Sequence, residues 1–174
     1  YVDEDLHLDR LERSLREIRL PMPMSRAALR MVLREVASRN RVTEGLLYMQ
    51  VTRGVARRDH PFPMKPVPPA LVVTVKRIAP YPTDVDKWQA SAITLPDLRW
   101  ARRDIKSVNL LPNCLARQAA REQGAIEAIL YDEATGIVNE GAATNFWIVD
   151  EHGAIRTHHL GHVILPGCTR AALL

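Results

Sequence analysis

A chain of 174 residues, 47% hydrophobic and 25% charged, has the composition of ordinary globular protein, which excludes the disordered and fibrous classes and leaves room for one domain or two small ones. No apolar run approaches the roughly 18 residues of a membrane helix, and the acidic start Tyr1-Val2-Asp3-Glu4-Asp5 lacks the basic and apolar regions of a secretory signal, so no membrane partner is expected. The net charge of +4 and pI near 9.4 raise nucleic acid as a partner, but Arg10, Arg13, Arg16 and Arg19, then Arg26, Arg30 and Arg34, recur at helical spacing among acids and read as solvated helix faces.

In chain order, Leu8, Leu11, Leu15 and Ile18 form an apolar stripe that predicts a helix over residues 4–19, closed by Pro21 and Pro23. Ser25 is placed to cap a second helix over 26–39, with Leu29, Val32, Leu33 and Val36 inward and Asn40 as its stop. Residues 46–53 and 70–78 read as strands, separated by an irregular loop containing Arg57-Arg58-Asp59-His60-Pro61 and further prolines. An interdomain linker is expected at 79–87. Beyond it come a strand (91–95), a polar loop (97–110), a helix (about 112–123, ended by Gly124) and a strand near 126–131. After a turn at 132–136, residues 137–139 and 144–149 read as a hairpin-like sheet around Glu140 and Gly141.

Within this plan the lysines are informative, because nearly all the positive charge is arginine and only Lys65, Lys76, Lys87 and Lys106 are lysine. A guanidinium stays protonated, whereas an amine can lose its proton, so Lys106 in Arg102-Arg103-Asp104-Ile105-Lys106-Ser107-Val108-Asn109-Leu110 suggests amine chemistry. Cys114 and Cys168 lie far apart and outside any Cys-x-x-Cys motif, which argues against a disulfide framework or structural zinc and for a reducing, cytoplasmic setting. His158-His159-x-x-His162 lacks a Cys or carboxylate in register to complete a metal site, so no metal is expected. Trp88, Trp100 and Trp147 are read as core or interface aromatics.

Five segments, in order and spacing, resemble the class IV pyridoxal-phosphate (PLP) aminotransferases of fold type IV, which include the D-amino acid and branched-chain aminotransferases. They are His7-Leu8-Asp9-Arg10-Leu11, Tyr48-Met49-Gln50-Val51-Thr52-Arg53-Gly54, Asp104-Ile105-Lys106-Ser107-Val108-Asn109-Leu110-Leu111, Asn139-Glu140-Gly141-Ala142-Ala143-Thr144-Asn145-Phe146 and Ile164-Leu165-Pro166-Gly167-Cys168-Thr169-Arg170. The resemblance covers essentially the whole chain. It implies an α/β (α+β) fold with a small N-terminal domain (1–82) and a larger, barrel-like PLP-binding domain (83–174), both partial. The chain starts with Tyr rather than Met and stops in a helix-forming run. The family's active-site tyrosine would precede Tyr1 and another phosphate-binding threonine would follow Leu174, so the expectation is a piece of a longer protein, inactive as it stands.

By resemblance, Lys106 condenses with the PLP aldehyde and then moves a proton at the substrate Cα, work that needs an amine whose pKa is depressed toward working pH. Glu140 matches the carboxylate that pairs with the cofactor's pyridine nitrogen, keeping it protonated as an electron sink. Arg10 matches the arginine that reaches the phosphate. Pro166-Gly167-Cys168-Thr169, opening a helix, brings N–H groups and the Thr169 hydroxyl to the same anion, and Leu165 packs against the ring. Arg58 and His60 match an Arg-x-His pair that binds the substrate α-carboxylate in D-amino acid aminotransferases, typically across a homodimer interface. The implied reaction moves the amino group of an amino acid, of D configuration if that pair is matched correctly, to a 2-oxo acid such as 2-oxoglutarate. A branched-chain L-amino acid aminotransferase and an aminodeoxychorismate lyase are the enzyme alternatives. An Arg-rich nucleic-acid-binding module is the alternative from another class.

Overall fold

The apolar stripe of residues 4–19 folds as α1 (Glu4–Glu17), burying Leu8 and Leu15. The computed structural model describes residues 1–174. The helix ends two residues before the expected point. Arg19 takes a left-handed conformation (φ 54°) and the Leu20 N–H returns to the Leu15 carbonyl at 2.8 Å, the ending usually made by glycine. The chain divides into two compact units, Tyr1–Ser14 with Asp84–Leu174, and Leu15–Thr83. The first 14 residues therefore cluster with Asp84–Leu174 rather than with the residues that follow them. The reason is chemical: Arg10, Arg13 and Ser14 each have a polar partner beyond residue 100.

In the Leu15–Thr83 unit, α2 (Arg26–Arg39) starts where Ser25 Oγ accepts from the Ala28 N–H at 3.2 Å and stops at Asn40, with Leu29 and Leu33 buried. Strands β1 (Gly45–Thr52) and β2 (Ala70–Arg77) pair antiparallel, setting Leu47 opposite Val75, Met49 opposite Val73 and Val51 opposite Leu71 along the less exposed face. Arg53, following β1, donates to the Ile18 and Arg19 carbonyls at 2.6 and 2.9 Å and stacks its guanidinium over the Phe62 ring at 3.7 Å. Gly54 adopts φ 90°, and a Cβ there would fall onto the Pro68 carbonyl, so the chain can leave β1 this way only as glycine.

In the other unit, β3 (Ala92–Pro96) and β4 (Glu127–Tyr131) are parallel, joined through α3 (Leu111–Glu122), and β5 (Val138–Gly141) adds antiparallel to β4, giving the order β3-β4-β5. Small residues make the core. Ala116 and Ala120, one turn apart on α3, pack with Ala125, Ala128, Leu130 and Ala142, so the helix lies close to the sheet. Gly124, in the left-handed region, ends α3 as expected.

Two expectations give way here. Residues 137–149 do not form one hairpin: Glu140 and Gly141 continue β5, with Glu140 paired to Leu130, and the following strand β6 (Trp147–Val149) pairs with β7 (Ile155–Thr157). The β6–β7 turn is closed by Asp150, whose carboxylate accepts the His152 and Ala154 N–H groups, with Gly153 at φ 77°. The expected linker also carries order, a 3-10 turn at Val85–Trp88 capped by the Asp84 carboxylate. The short helix α4 (Cys168–Leu173) completes the fold.

Candidate active site

The loop between β3 and α3, the end of β5, the entry to α4 and the first turns of α1 converge on one cavity of about 700 Å³, within the range of small-molecule sites. Lys106 comes from the loop, Glu140 from β5, Leu165, Cys168 and Thr169 from the approach to α4, and Arg10 with His7 from α1. Of the expected site residues, Lys106, Glu140, Leu165, Cys168, Thr169 and Arg10 thus line a single space. Arg58 and His60 lie in an exposed loop of the other compact unit.

The Lys106 residue is exposed, on the wall of the cavity, with protein close enough to desolvate its amine in part. That desolvation, followed by the charge of Arg10, lowers its pKa from the ordinary lysine value, while Glu140 and Cys168 pull the other way. Glu140 is buried, with its side chain 4% exposed. Oε1 takes an ion pair from Arg99 at 2.6 Å, Oε2 takes the Asn145 amide at 2.8 Å, and the Leu165 N–H reaches both oxygens at 3.1 and 3.2 Å. Burial pushes this carboxyl above the usual range, and the Arg99, Leu165 and Asn145 donors oppose that push.

Arg99 is itself held from behind. Asp97 receives its Nε and Nη2 at 2.9 and 2.8 Å, and the Asn139 amide adds a bond to Asp97 Oδ2 at 2.9 Å. Burial raises the Asp97 carboxyl, but the Arg99 and Asn139 hydrogen bonds outweigh it and hold the group below the ordinary carboxylate range. The Asp97–Arg99–Glu140 chain is a satisfied buried network, the condition under which such groups become rigid.

Arg10 donates to the Pro166 carbonyl at 3.2 Å and faces His7 Nδ1 at 3.5 Å, so no carboxylate neutralises it in the contacts it makes. Cys168 is buried at the start of α4, and burial raises its thiol pKa. With six residues, α4 has a weak dipole. Anion attraction in the cavity therefore rests on side-chain cations, with Thr169 on the wall.

Residue-level reading missed several members of this site. Arg99, Asp97 and Asn145 orient Glu140, and the alternating Asp97-x-Arg99 pair at the end of β3 was the signal that could have found them. Arg13, read as a solvated helix arginine, instead grips the buried Asp104. Of the tryptophans, Trp100, 38% exposed, lines the cavity with Trp147, and Trp88 is 56% exposed, so neither Trp88 nor Trp100 is a core residue of this chain. His158 and His159 stack on each other with ring centroids 4.3 Å apart, while His162 turns to Asp104. No group of three or more His, Cys, Asp or Glu is arranged to hold a metal.

Lys106, the buried carboxylate Glu140 and a set of cations thus share one cavity, on an α/β protein whose β-α-β unit carries an antiparallel third strand. A family model described as amino-transferase class IV matches residues 1–174, and the chain belongs to that family. It is 38% identical over 167 residues to a D-alanine aminotransferase of Staphylococcus aureus and 40% identical over 168 residues to that of Staphylococcus haemolyticus, covering 96% of this chain and 58% of each relative. The chain thus spans little more than half the length of these relatives. Among solved structures, a T.th. branched-chain amino acid aminotransferase with pyridoxamine 5'-phosphate superposes with a TM-score of 0.79 at 27% identity, over 98% of this chain and 56% of that one. A Legionella pneumophila protein provisionally described as a 4-amino-4-deoxychorismate lyase shares the fold, with a TM-score of 0.81 at 22% identity over 98% of this chain and 61% of that one. No helix is long and apolar enough to cross a membrane.

Proposed function

We propose that the protein is a PLP-dependent transaminase that moves the amino group of an amino acid, preferentially a D-amino acid, to a 2-oxo acid such as 2-oxoglutarate. The observation that carries this reading is that the Lys106 side chain and the buried carboxylate Glu140 line one cavity together with Arg10. The D-alanine aminotransferase relatives support the substrate class.

The residues present fit the cofactor. Arg10 has only a carbonyl and an imidazole as hydrogen-bond partners and is free to take a phosphate. Thr169 adds a hydroxyl, the Cys168 backbone lies beside it, and Leu165 offers an apolar surface to a ring. A Cβ on Gly167 would strike Asn145 Oδ1, so the wall here is cut close. When bound, PLP supplies an aldehyde for amine exchange and a protonated pyridine ring that accepts an electron pair.

The protein's own part follows from its geometry. Lys106 Nζ holds and moves the proton at the substrate Cα, and its lowered pKa makes the neutral amine available at a lower pH than for a free lysine. Glu140 would be the carboxylate to hold a proton on the ring nitrogen of a bound cofactor, and Arg99 with Asn145 fixes that carboxylate in place. Arg58 and His60 are assigned to the substrate α-carboxylate, a fork-shaped guanidinium beside an imidazole donor. Family membership extends the reading to a cytoplasmic homodimer.

The test is spectroscopic and chemical. With PLP, the protein should show the visible band of a lysine-bound cofactor, borohydride should fix the cofactor on Lys106, and Lys106→Ala should abolish both along with transamination. Activity with L-leucine and none with D-alanine would reassign the substrate and remove the role given to Arg58 and His60. Pyruvate release from aminodeoxychorismate without an amino acceptor would point to the lyase reaction.

A further inference from the structure

Arg13 lies one turn beyond Arg10 on α1, so the two side chains are neighbours on one helix face. Arg13 does not line the cavity. Its Nη1 donates to the Asp104 carbonyl at 2.8 Å and its Nη2 to Asp104 Oδ2 at 2.5 Å, across 91 positions of sequence. Asp104 is 2% exposed and also takes Arg102 on both oxygens and His162 on Oδ1. Two residues on, the Lys106 N–H donates at 3.1 Å to the hydroxyl of Ser14, which is 3% exposed. Consecutive residues of α1 therefore grip the backbone on either side of Ile105, itself buried.

Arg10, on the same rigid helix, bonds to the Pro166 carbonyl and acts electrostatically on Lys106. We propose that Arg13 is a positioning residue: by clamping α1 to the Lys106 segment through Asp104, it fixes Arg10 beside the Lys106 amine and at the anion end of the cavity. The inference rests on the reading of Lys106 as the reacting amine. The α-helix transmits the constraint, because residues three apart cannot change their relative height without breaking backbone hydrogen bonds. Without the clamp, α1 would lose this buried ion pair to the segment and keep the Ser14 bond.

The groups acting on the Lys106 amine are Arg10, Glu140 and Cys168. The experiment follows that amine directly in the cofactor-free protein, measuring acylation of Lys106 by acetic anhydride across pH with peptide mass spectrometry, and measures PLP affinity separately. In the parent protein Lys106 should become reactive at lower pH than Lys65 or Lys76. Arg13→Gln should move the Lys106 profile up toward those lysines and weaken PLP binding about ten-fold, the loss expected for one charge-assisted hydrogen bond. Arg13→Lys, which keeps the charge but cannot span both the carbonyl and the carboxylate, should shift both in the same direction by less.

Arg16→Gln, on the exposed part of α1, should change neither quantity, and Leu33→Ala should lower the melting temperature without moving the Lys106 profile. An unchanged profile in Arg13→Gln, or an equal shift in Leu33→Ala, overturns the proposal. Should Arg13→Gln fail to fold, an unshifted Arg13→Lys does the same. Failure of borohydride to trap PLP on Lys106 in the parent protein would instead remove the role of Lys106, leaving the acylation comparison to judge Arg13 separately.

Discussion

At the scale of single residues, two carboxylates divide the work. Glu140 faces the cavity and Asp104 stands behind it. Glu140→Gln keeps the shape and the Asn145 and Leu165 contacts but removes the charge that faces Arg99, so kcat should fall on the order of 100-fold, as for a lost preorganised electrostatic partner, with KM little changed. Steady-state kinetics with D-alanine and 2-oxoglutarate would measure it. Asp104 is held well below the usual carboxylate range, first by the Arg102 hydrogen bonds, which burial opposes, and then by Arg13 and His162. Its folded pKa lies below the unfolded value of about 3.9. Its stabilising contribution is therefore complete above that value and is lost as pH falls through the folded one. Asp104→Asn should cost about 3 kcal/mol at neutral pH, the low end for a broken buried pair, because both arginines keep about a third of their side chains in water. Urea unfolding should show this difference shrinking as the pH is lowered into the acid range.

At the scale of elements, the helices and the strands β1 to β4 could be read in advance because each carries a local signal: the leucine stripe of α1, the Ser25 cap, the valines of β2, and Gly124 after α3. Towards the end of the chain only part could: the strands read at 137–139 and 144–149 overlap β5 and β6, but the extension of β5 and the partner strand β7 were not legible. Glu140 and Gly141 look like turn residues, and only pairing with Leu130, together with the partners that satisfy the buried carboxylate, makes them strand. The site was legible to the same degree. Lys106, Glu140, Arg10 and the residues at the entry to α4 were visible as motif, whereas the roles of Arg99 and Arg13 depend on bonds across 41 and 91 positions that leave no periodic trace, and only the local Asp97-x-Arg99 pair hinted at the first. The entry to α4 offers a test at this scale. Gly167 has an ordinary φ of −67°, so its requirement is space rather than backbone freedom. Gly167→Ala should displace Asn145 from Glu140 and the Leu165 carbonyl, weakening PLP binding about ten-fold while leaving the far-ultraviolet circular dichroism unchanged.

At the scale of the whole molecule, the excess of arginine serves two uses: Arg16, Arg19 and Arg34 are exposed on or beside the helices, as expected, and another set gathers on the cavity. Arg10, Arg99, Arg103, Lys106, Arg117 and Arg170 line the cavity, and Glu140 is the carboxylate among its lining residues. A concave surface on which cations outnumber carboxylates concentrates anions, so PLP association should slow as ionic strength rises, which stopped-flow binding would detect. The distribution of α1 between the two compact units carries a further consequence. Arg10, Arg13 and Ser14 are separated from the rest of their unit by the whole of residues 15–83. During folding, the cavity cannot close until that intervening loop has been closed, an entropic delay that grows slowly with its length. A single cut in the exposed proline-rich segment near Lys65 would make Arg10 and Lys106 belong to different polypeptides. Cofactor capture would then become a meeting of two chains, vanishing on dilution and returning when the two pieces are concentrated together.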